Sequence, residues 1–453
     1  MSRLRSGLLT IGLVTLGCGQ SAPTMTAPPS PASPAATAPA RAVAATLTVS
    51  DYVIGEPVRF QNLTIFPVSS RSPKVDDRFV TLDEGLKAGT VEILEAGAAL
   101  AQSESATGEP GSEPTEDAVP SALNPTQILA DLRDPTGVES PFGIDNLGQL
   151  PGHPVESQQQ SMLAGNDVNS LIVINRSDKP LYLMPGEVII GGSQDRTIGD
   201  EVVIAPNSPP TRISVFCVEH GRWGAKHIEE TRQQLTASAG TAILGNNRSQ
   251  DLDRLAEAAN DGKFVASVGQ LSKSSRLAVQ SDKDQSAVWE KVAQTNGQSG
   301  VRPESGAFTA NYSDGPTIQR LQPYVEHLQT AVANQDQIVG VVVAVNGKIE
   351  SMDVFESTPL FQKVWPKLLR SYALDAANSA DEEGGNEQCD LAAAGAFFKE
   401  ALEAEIESSG QQQGVALTKR NGRNVVSFSS QLDSAAAPMG GMGGGVHFSG
   451  FSK

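Results

Sequence analysis

Between residues 171 and 219, five short apolar runs follow one another at turn-sized intervals, and this pattern limits the fold more than any other stretch of the chain. Residues 171–174 and 181–184 are separated by Asn175, Arg176, Ser177, Asp178, Lys179 and Pro180. Such residues favour turns through side-chain bonds to the backbone and the fixed φ of proline. Pro185 and Gly186 turn the chain into residues 188–190, and Gly191 and Gly192 break that run. Residues 201–205 and 212–219 flank a Pro- and Asn-rich loop. Strands joined this tightly pair antiparallel, because parallel neighbours need a long crossover. An antiparallel meander is therefore expected here.

Residues 47–54 and 58–68 read as further strands, rich in β-branched and aromatic residues, as do residues 91–94. Thr81 and Glu84 have capping-box spacing, and Gly89 is placed to end the short helix between. Residues 338–345 and 348–355 flank Asn346-Gly347, the pair that most favours a type I′ hairpin turn. Helical patterns occupy residues 225–237, 285–294, 318–334 and 392–406. Another is expected to be capped by Thr358, with Pro359 in its first turn and Pro366 kinking or restarting it. Asp353 reads as strand surface and Trp365 as core. The fold class is α+β: an antiparallel or mixed sheet core with helices mainly in the C-terminal half.

The ends and one internal stretch carry little hydrophobic pattern. Arg3 and Arg5 precede a short apolar run, residues 8–16, and Cys18 follows Gly17. The run is too short to span a bilayer, which needs about 20 apolar residues. It fits a lipoprotein signal peptide, residues 1–17, cleaved before an acylated Cys18. An ordinary secretory signal with an incidental cysteine is the alternative. Residues 18–45, rich in Pro, Ala and Thr, read as a tether. Gly19 stands where an inner-membrane retention signal places Asp, so the expected site is the outer membrane of a bacterial envelope, reached by the lipid anchor. One α+β domain is expected over residues 46–409. Within it, an acidic, polar insertion (residues 97–167) is expected to be disordered. Residues 410–453 read as an extension with a disordered Gly-rich tail. The net charge of −18 argues against nucleic acid, which needs a basic face. Besides Cys18 the chain has Cys217 and Cys389, which form one disulfide if the fold brings them together.

Two short stretches combine residue types suited to chemistry. Gly191, Gly192, Gln194, Asp195 and Arg196 join backbone freedom to an amide, a carboxylate and a guanidinium able to clasp a phosphate or carboxylate. A β-bulge with a solvated Arg–Asp pair is the plainer reading. Cys217, Glu219, His220, Arg222 and Trp223 leave a strand into a glycine turn. Glu219, Arg222 and Trp223 offer charge and a flat apolar face for a ligand. Cys217 and His220 have the residue types of a nucleophile pair, and Glu187 those of an acid or base. The plainer reading makes Cys217 a buried small hydrophobe. Neither a metal site nor a cofactor is expected, since the spacing of Cys217, His220 and His227 is not a familiar zinc pattern.

Taken together, several stretches resemble one family. They are residues 82–89, 173–177, 186–187, 191–196, 217–223 and 365–368, with Phe361 and residues 371–375. The family is that of ARG and Rhodanese-Phosphatase-superfamily-associated protein domains. Its members read Gln-Asn-Arg where this chain has Gln194-Asp195-Arg196, and the long insertion is not typical of them. The resemblance implies, by association alone, a role connected with ADP-ribose or another nucleotide. Two functions fit the sequence: a lipid-anchored domain that binds or processes a small anionic ligand, or a non-catalytic structural or partner-binding envelope domain. In the first, residues 191–196 and 219–223 form one site, with Arg196 and Arg222 reaching outward from strand ends.

Overall fold

The computed structural model describes residues 46–95, 169–221, 257–258, 261–333, 337–380, 389–433 and 445–453. Its first elements are β1 (Leu47–Val49), β2 (Tyr52–Ile54), β3 (Val58–Phe60), β4 (Leu63–Ser70), β5 (Val80–Thr81), α1 (Leu82–Ala88) and β6 (Val91–Glu95). The central strands are β7 (Ser170–Asn175), β8 (Leu181–Leu183), β9 (Glu187–Gly191), β10 (Arg196–Ile198), β11 (Val202–Ile204), β12 (Thr211–Cys217) and β13 (Lys263–Gln270). Helix α2 (Lys273–Leu277) runs into a π-helical turn, Ala278–Asp282. Helices α3 (Gln285–Ser299), α4 (Ala310–Ser313) and α5 (Gly315–Ala333) follow. Strands β14 (Ile338–Val345) and β15 (Lys348–Phe355) precede α6 (Thr358–Asn378) and α7 (Leu391–Glu403). Strands β16 (Glu405–Gln412), β17 (Val415–Asn421), β18 (Val425–Leu432) and β19 (Gly445–Ser452) end the chain. The architecture is α+β.

The apolar octet of β14 lies inside a ten-stranded sheet ordered β1-β2-β4-β14-β15-β19-β18-β17-β16, with β3 also paired to β4. Side chains alternate across a strand, and both faces here are covered. Val341, Val343 and Val345 join Leu63 and Ile65 in one core with Trp365 and Leu368 of α6. Val342 and Ala344 join Phe66 and Val68 in another with Phe398 of α7. That two-sided burial is why β14 shows no polar alternation. Asn346 and Gly347 take φ of 48° and 75°, as the hairpin turn requires.

The meander expected over residues 171–219 closes further than its pattern showed. Strands β10-β12-β7-β6-β13-β9 form a closed barrel, while β8 and β11 leave it for a small sheet with β5. Val91, Ile93, Leu171, Val173, Ile189 and Ile213 share one apolar cluster, which fills alternate positions of the barrel strands. Strand β13, which closes the barrel, has no counterpart in the sequence reading.

Other expectations meet the structure with mixed results. The Thr81 N–H donates to the Glu84 carboxylate at 2.9 Å, and Gly89 ends α1 in the left-handed region, both as expected. Pro366 sits inside an unbroken α6, whose N-cap is Ser357 rather than Thr358. Asp353 is fully buried, not strand surface. Cys217 and Cys389 are both buried and free, so the disulfide does not form. The domain does not stop at residue 409. β16 to β19 add four strands to the large sheet, and residues 445–452, expected as disordered tail, form β19 between β15 and β18. The insertion expected at residues 97–167 and the helix at 225–237 lie outside the described residues, as do the signal and tether. Among the described residues no helix is long and apolar enough to cross a membrane.

Candidate functional site

The Gly191–Arg196 turn is built by a close strand crossing. At Gly191, φ is 143° and an added Cβ would meet the Lys263 carbonyl oxygen at 2.1 Å, so only glycine lets β9 and β13 approach there. The anion at this turn comes from the chain itself. The Glu95 carboxylate accepts from the Ser193 N–H at 2.7 Å and from the Ser193 hydroxyl at 2.9 Å. Beyond it, Gln194, Asp195, Arg196 and Glu219 all lie within the core, Arg196 only 2% exposed. The structure does gather these residues. Gln194 Nε2 donates to the Glu219 carbonyl at 2.9 Å, the Asp195 N–H to the Glu219 carboxylate at 3.1 Å, and Thr309 Oγ1 to Asp195 at 2.9 Å. Arg196 donates to Gln194 Oε1 at 3.1 Å. The outward reach expected of Arg196 is therefore corrected: its guanidinium lies inside the fold, where Nη1 bonds the neighbouring amide and Nε has no acceptor among the described residues. Arg222 and Trp223 lie outside the described residues.

Cys217 pairs with Arg196 across β12 and β10. Burial pushes its thiol pKa up, the Arg196 guanidinium opposes this, and the Glu95 and Glu219 carboxylates add to the rise. A thiol held protonated is a poor nucleophile. Its backbone N–H and carbonyl are both bonded by the Gln285 side chain, each at 2.8 Å, which extends the strand edge into α3. The His220 ring stands edge-on to Trp289, centroids 4.5 Å apart. Glu187 is buried at the start of β9, where Ser267 Oγ and Lys367 Nζ donate to its carboxylate. Burial raises its pKa against the pull of Lys367. Lys367 also meets Asp83 at 2.7 Å, so α6, α1 and β9 are clamped by one ammonium.

A second polar array, dispersed in sequence, connects the core to the surface. Arg276 of α2 donates twice to Asp353 of β15, at 3.0 and 2.6 Å, with both side chains 1% exposed or less. Tyr372 of α6 donates to the same carboxylate. His447 of β19 bridges two carboxylates: Nε2 lies 3.0 Å from Asp353, and Nδ1 3.3 Å from Glu201 beside β11. Ser430 Oγ donates to Glu201 at 2.7 Å. Burial alone would lower the His447 pKa, but Glu201 and Asp353 outweigh it and hold it up at about 9. Burial likewise would raise Asp353, and Arg276 with His447 hold it well below the usual carboxylate range. Both cations also lie on aromatic faces. His447 stacks on Phe355 at 4.3 Å, and Arg276 sits 5.0 Å from the Phe451 ring centre.

Glu201 is where this array reaches a cleft of about 420 Å³. One wall is Gly199, Asp200 and Glu201, another the π-helical turn with Gln280, and the third the β16–β17 hairpin and β18. The hairpin is fixed by its tip. Gly414 takes φ of 75° and presses within a Cβ's width of β11, and the Val203 N–H donates to the Gln413 carbonyl at 3.0 Å. Lys283, itself left-handed at φ 50°, meets Asp200 at 2.6 Å. Gln280 is 8% exposed, and its Nε2 has no acceptor among the described residues. A buried donor left unsatisfied is costly, and π-turns recur at functional sites. Sequence reasoning missed this whole array. Its members carry no shared motif, and the one local signal was Val446, His447, Phe448 and Phe451 interrupting the glycines of the tail. Among the described residues no group of three or more His, Cys, Asp or Glu side chains is arranged to hold a metal ion.

Residues 160–436 match the model of the ARG and Rhodanese-Phosphatase-superfamily-associated Protein domain, which takes in every cleft wall and ends before His447. No curated protein and no solved structure matches the chain.

Proposed function

The chain belongs to the ARG and Rhodanese-Phosphatase-superfamily-associated Protein domain family, and from that premise we propose that it is a lipid-anchored envelope protein whose domain binds a small polar ligand in the Glu201–Gln280 cleft. The carrying observation is the unsatisfied, nine-tenths buried Gln280 amide in the cleft wall. The cleft volume falls in the range of about 300–1,000 Å³ usual for small-molecule sites. The cleft is favoured over the Gly191–Arg196 turn because Glu95 already fills the anion position there. The anchor rests on the signal-like residues 1–17 and on Cys18. His447 is engaged between two carboxylates and burial pushes the Cys217 thiol up, so neither is proposed as a catalytic group.

The test is a thermal-shift screen of the mature chain against neutral, anionic and cationic small molecules. A ligand that binds only the native state raises the melting temperature. The expected result is a shift that Gln280→Leu removes. A shift untouched by Gln280→Leu, or no shift with any class, would reject the cleft as the site. A partner-binding envelope domain would then be the better reading.

A further inference from the structure

We propose that the free edge of β16 is an interface with a second copy of this chain, the two edges pairing antiparallel about a two-fold axis at Gly410. The inference does not depend on what the cleft binds.

Strand β16 ends the ten-stranded sheet, and all eight of its residues are exposed. The direction of its free backbone groups follows from the next ladder. The Asp433 N–H donates to the Gly414 carbonyl at 2.9 Å. Bonded positions alternate along an antiparallel strand, so the even-numbered residues of β17 bond β18 and the odd-numbered ones bond β16. Val415 and Leu417 therefore bond Gln412 and Gly410. The N–H and C=O groups of Ser409 and Gln411 point away from the sheet, and among the described residues no strand pairs with them. The opposite edge of the sheet is protected. There β1 has only three residues, and Leu47 packs against Gly395 of α7.

The chemistry of the edge points to its own copy as the occupant. The register shift in β16 lies at Glu407, and residues 408–412 beyond it pair regularly with β17. That regular segment, Ser-Ser-Gly-Gln-Gln, holds no charge and no proline, the devices that blunt an edge. In a chain of net charge −18, charged surfaces of two copies repel, and a neutral edge is where they can meet. Gly410 has no explanation within one copy. Its φ is not positive, and an added Cβ would meet nothing within 4 Å. Glycine inside a strand weakens it and often marks the close approach of another backbone. A two-fold axis there sets Gly410 opposite itself at a non-hydrogen-bonded position, where facing residues come closest. Ser409 of each copy then faces Gln411 of the other, and each such pair exchanges two backbone hydrogen bonds. Glu405 and Glu407 fall beyond the paired segment, so no carboxylates oppose. Ile406, 63% exposed, comes opposite Gly414 of the second copy, whose turn covers it.

Sedimentation velocity on the full mature chain carrying Cys18→Ser, over a wide range of concentration, tests this. The expected result is a mass that rises from one chain to two as concentration increases. Ser409→Lys with Gln411→Lys sets ammonium groups opposite one another and should remove the dimer, since like charges directly opposite destabilise a strand pair. Ser409→Glu with Gln411→Glu should remove it too. Mixing the two variants should restore a dimer, because each introduced ammonium then faces a carboxylate. Both positions are exposed, so each protomer should stay folded, and a dimer restored on mixing shows that it has. A chain that stays monomeric at every concentration would overturn the proposal. A dimer that persists in both doubly charged variants would place the interface elsewhere. Variants that remain monomeric when mixed would overturn the pairing about Gly410.

Discussion

Asp353→Asn is the perturbation that the buried array answers most sharply. The change keeps the side-chain shape and removes one charge from a site that is fully buried. Arg276, 1% exposed, then loses the carboxylate that accepts both of its hydrogen bonds. The Tyr372 hydroxyl and His447 Nε2 lose the same acceptor charge. Breaking a buried pair by removing one partner costs about 3–5 kcal/mol, because an uncompensated charge stays in the core. Against a domain stability of about 5–15 kcal/mol, that is a large fraction. Urea unfolding followed by tryptophan fluorescence reads it as a lower midpoint with little change in slope. Replacing both partners, Arg276→Met with Asp353→Leu, leaves no buried charge between them, so it should cost less than the single change. A single-variant loss below about 1 kcal/mol, the size of a surface ion pair, would refute the reasoning. So would a double variant weaker than the single one.

His447→Gln should flatten the alkaline limb of stability. The folded pKa of about 9 lies above the unfolded 6.5, so the stabilisation is full below about 6.5 and is lost as pH rises through about 9. It amounts to about 3 kcal/mol at most, and melting temperatures of the two proteins from pH 6 to pH 10 (about the range that spans both pKa values) check it. Arg196→Ala should lower stability by about 2 kcal/mol or more, because it opens a hole in the core and orphans Gln194 Oε1; an unchanged melting temperature would restore the surface reading. Cys18→Ser should move the protein from the membrane to the soluble fraction, and mass spectrometry should find acyl chains on the wild-type Cys18; an unmodified amine on any later residue would remove the anchor.

Much of the fold was legible where the signal is local. Asn346-Gly347, Thr81 with Glu84, and Gly89 each determine backbone geometry within a few residues, and each stands as expected. Barrel closure was not legible, because β13 is buried along nearly its whole length and carries Ala266, Ser267 and Gly269 where a strand pattern would show branched residues. The tail misled for a similar reason. Glycine-rich composition predicts disorder, yet Gly450 sits in β19 with Met352 packed 3.1 Å from where a Cβ would lie. At the site, the sequence found residues that do meet, from Gln194 to Glu219, and misjudged their exposure. A strand-end arginine reads as solvent-facing unless the covering elements are known, and here Glu95 and Thr309 come from distant segments. Arg276, Asp353 and His447 are joined only by tertiary structure, so no spacing announces them.

Hydrogen exchange on the mature chain, with and without a ligand that raises its melting temperature, tests the cleft most directly. Protection is predicted in residues 199–201, 280–283 and 407–418, the three walls around Glu201, with residues 191–196 unchanged. Protection centred on residues 191–196 and 217–221, with the cleft walls unchanged, would contradict it and return the site to the glycine turn.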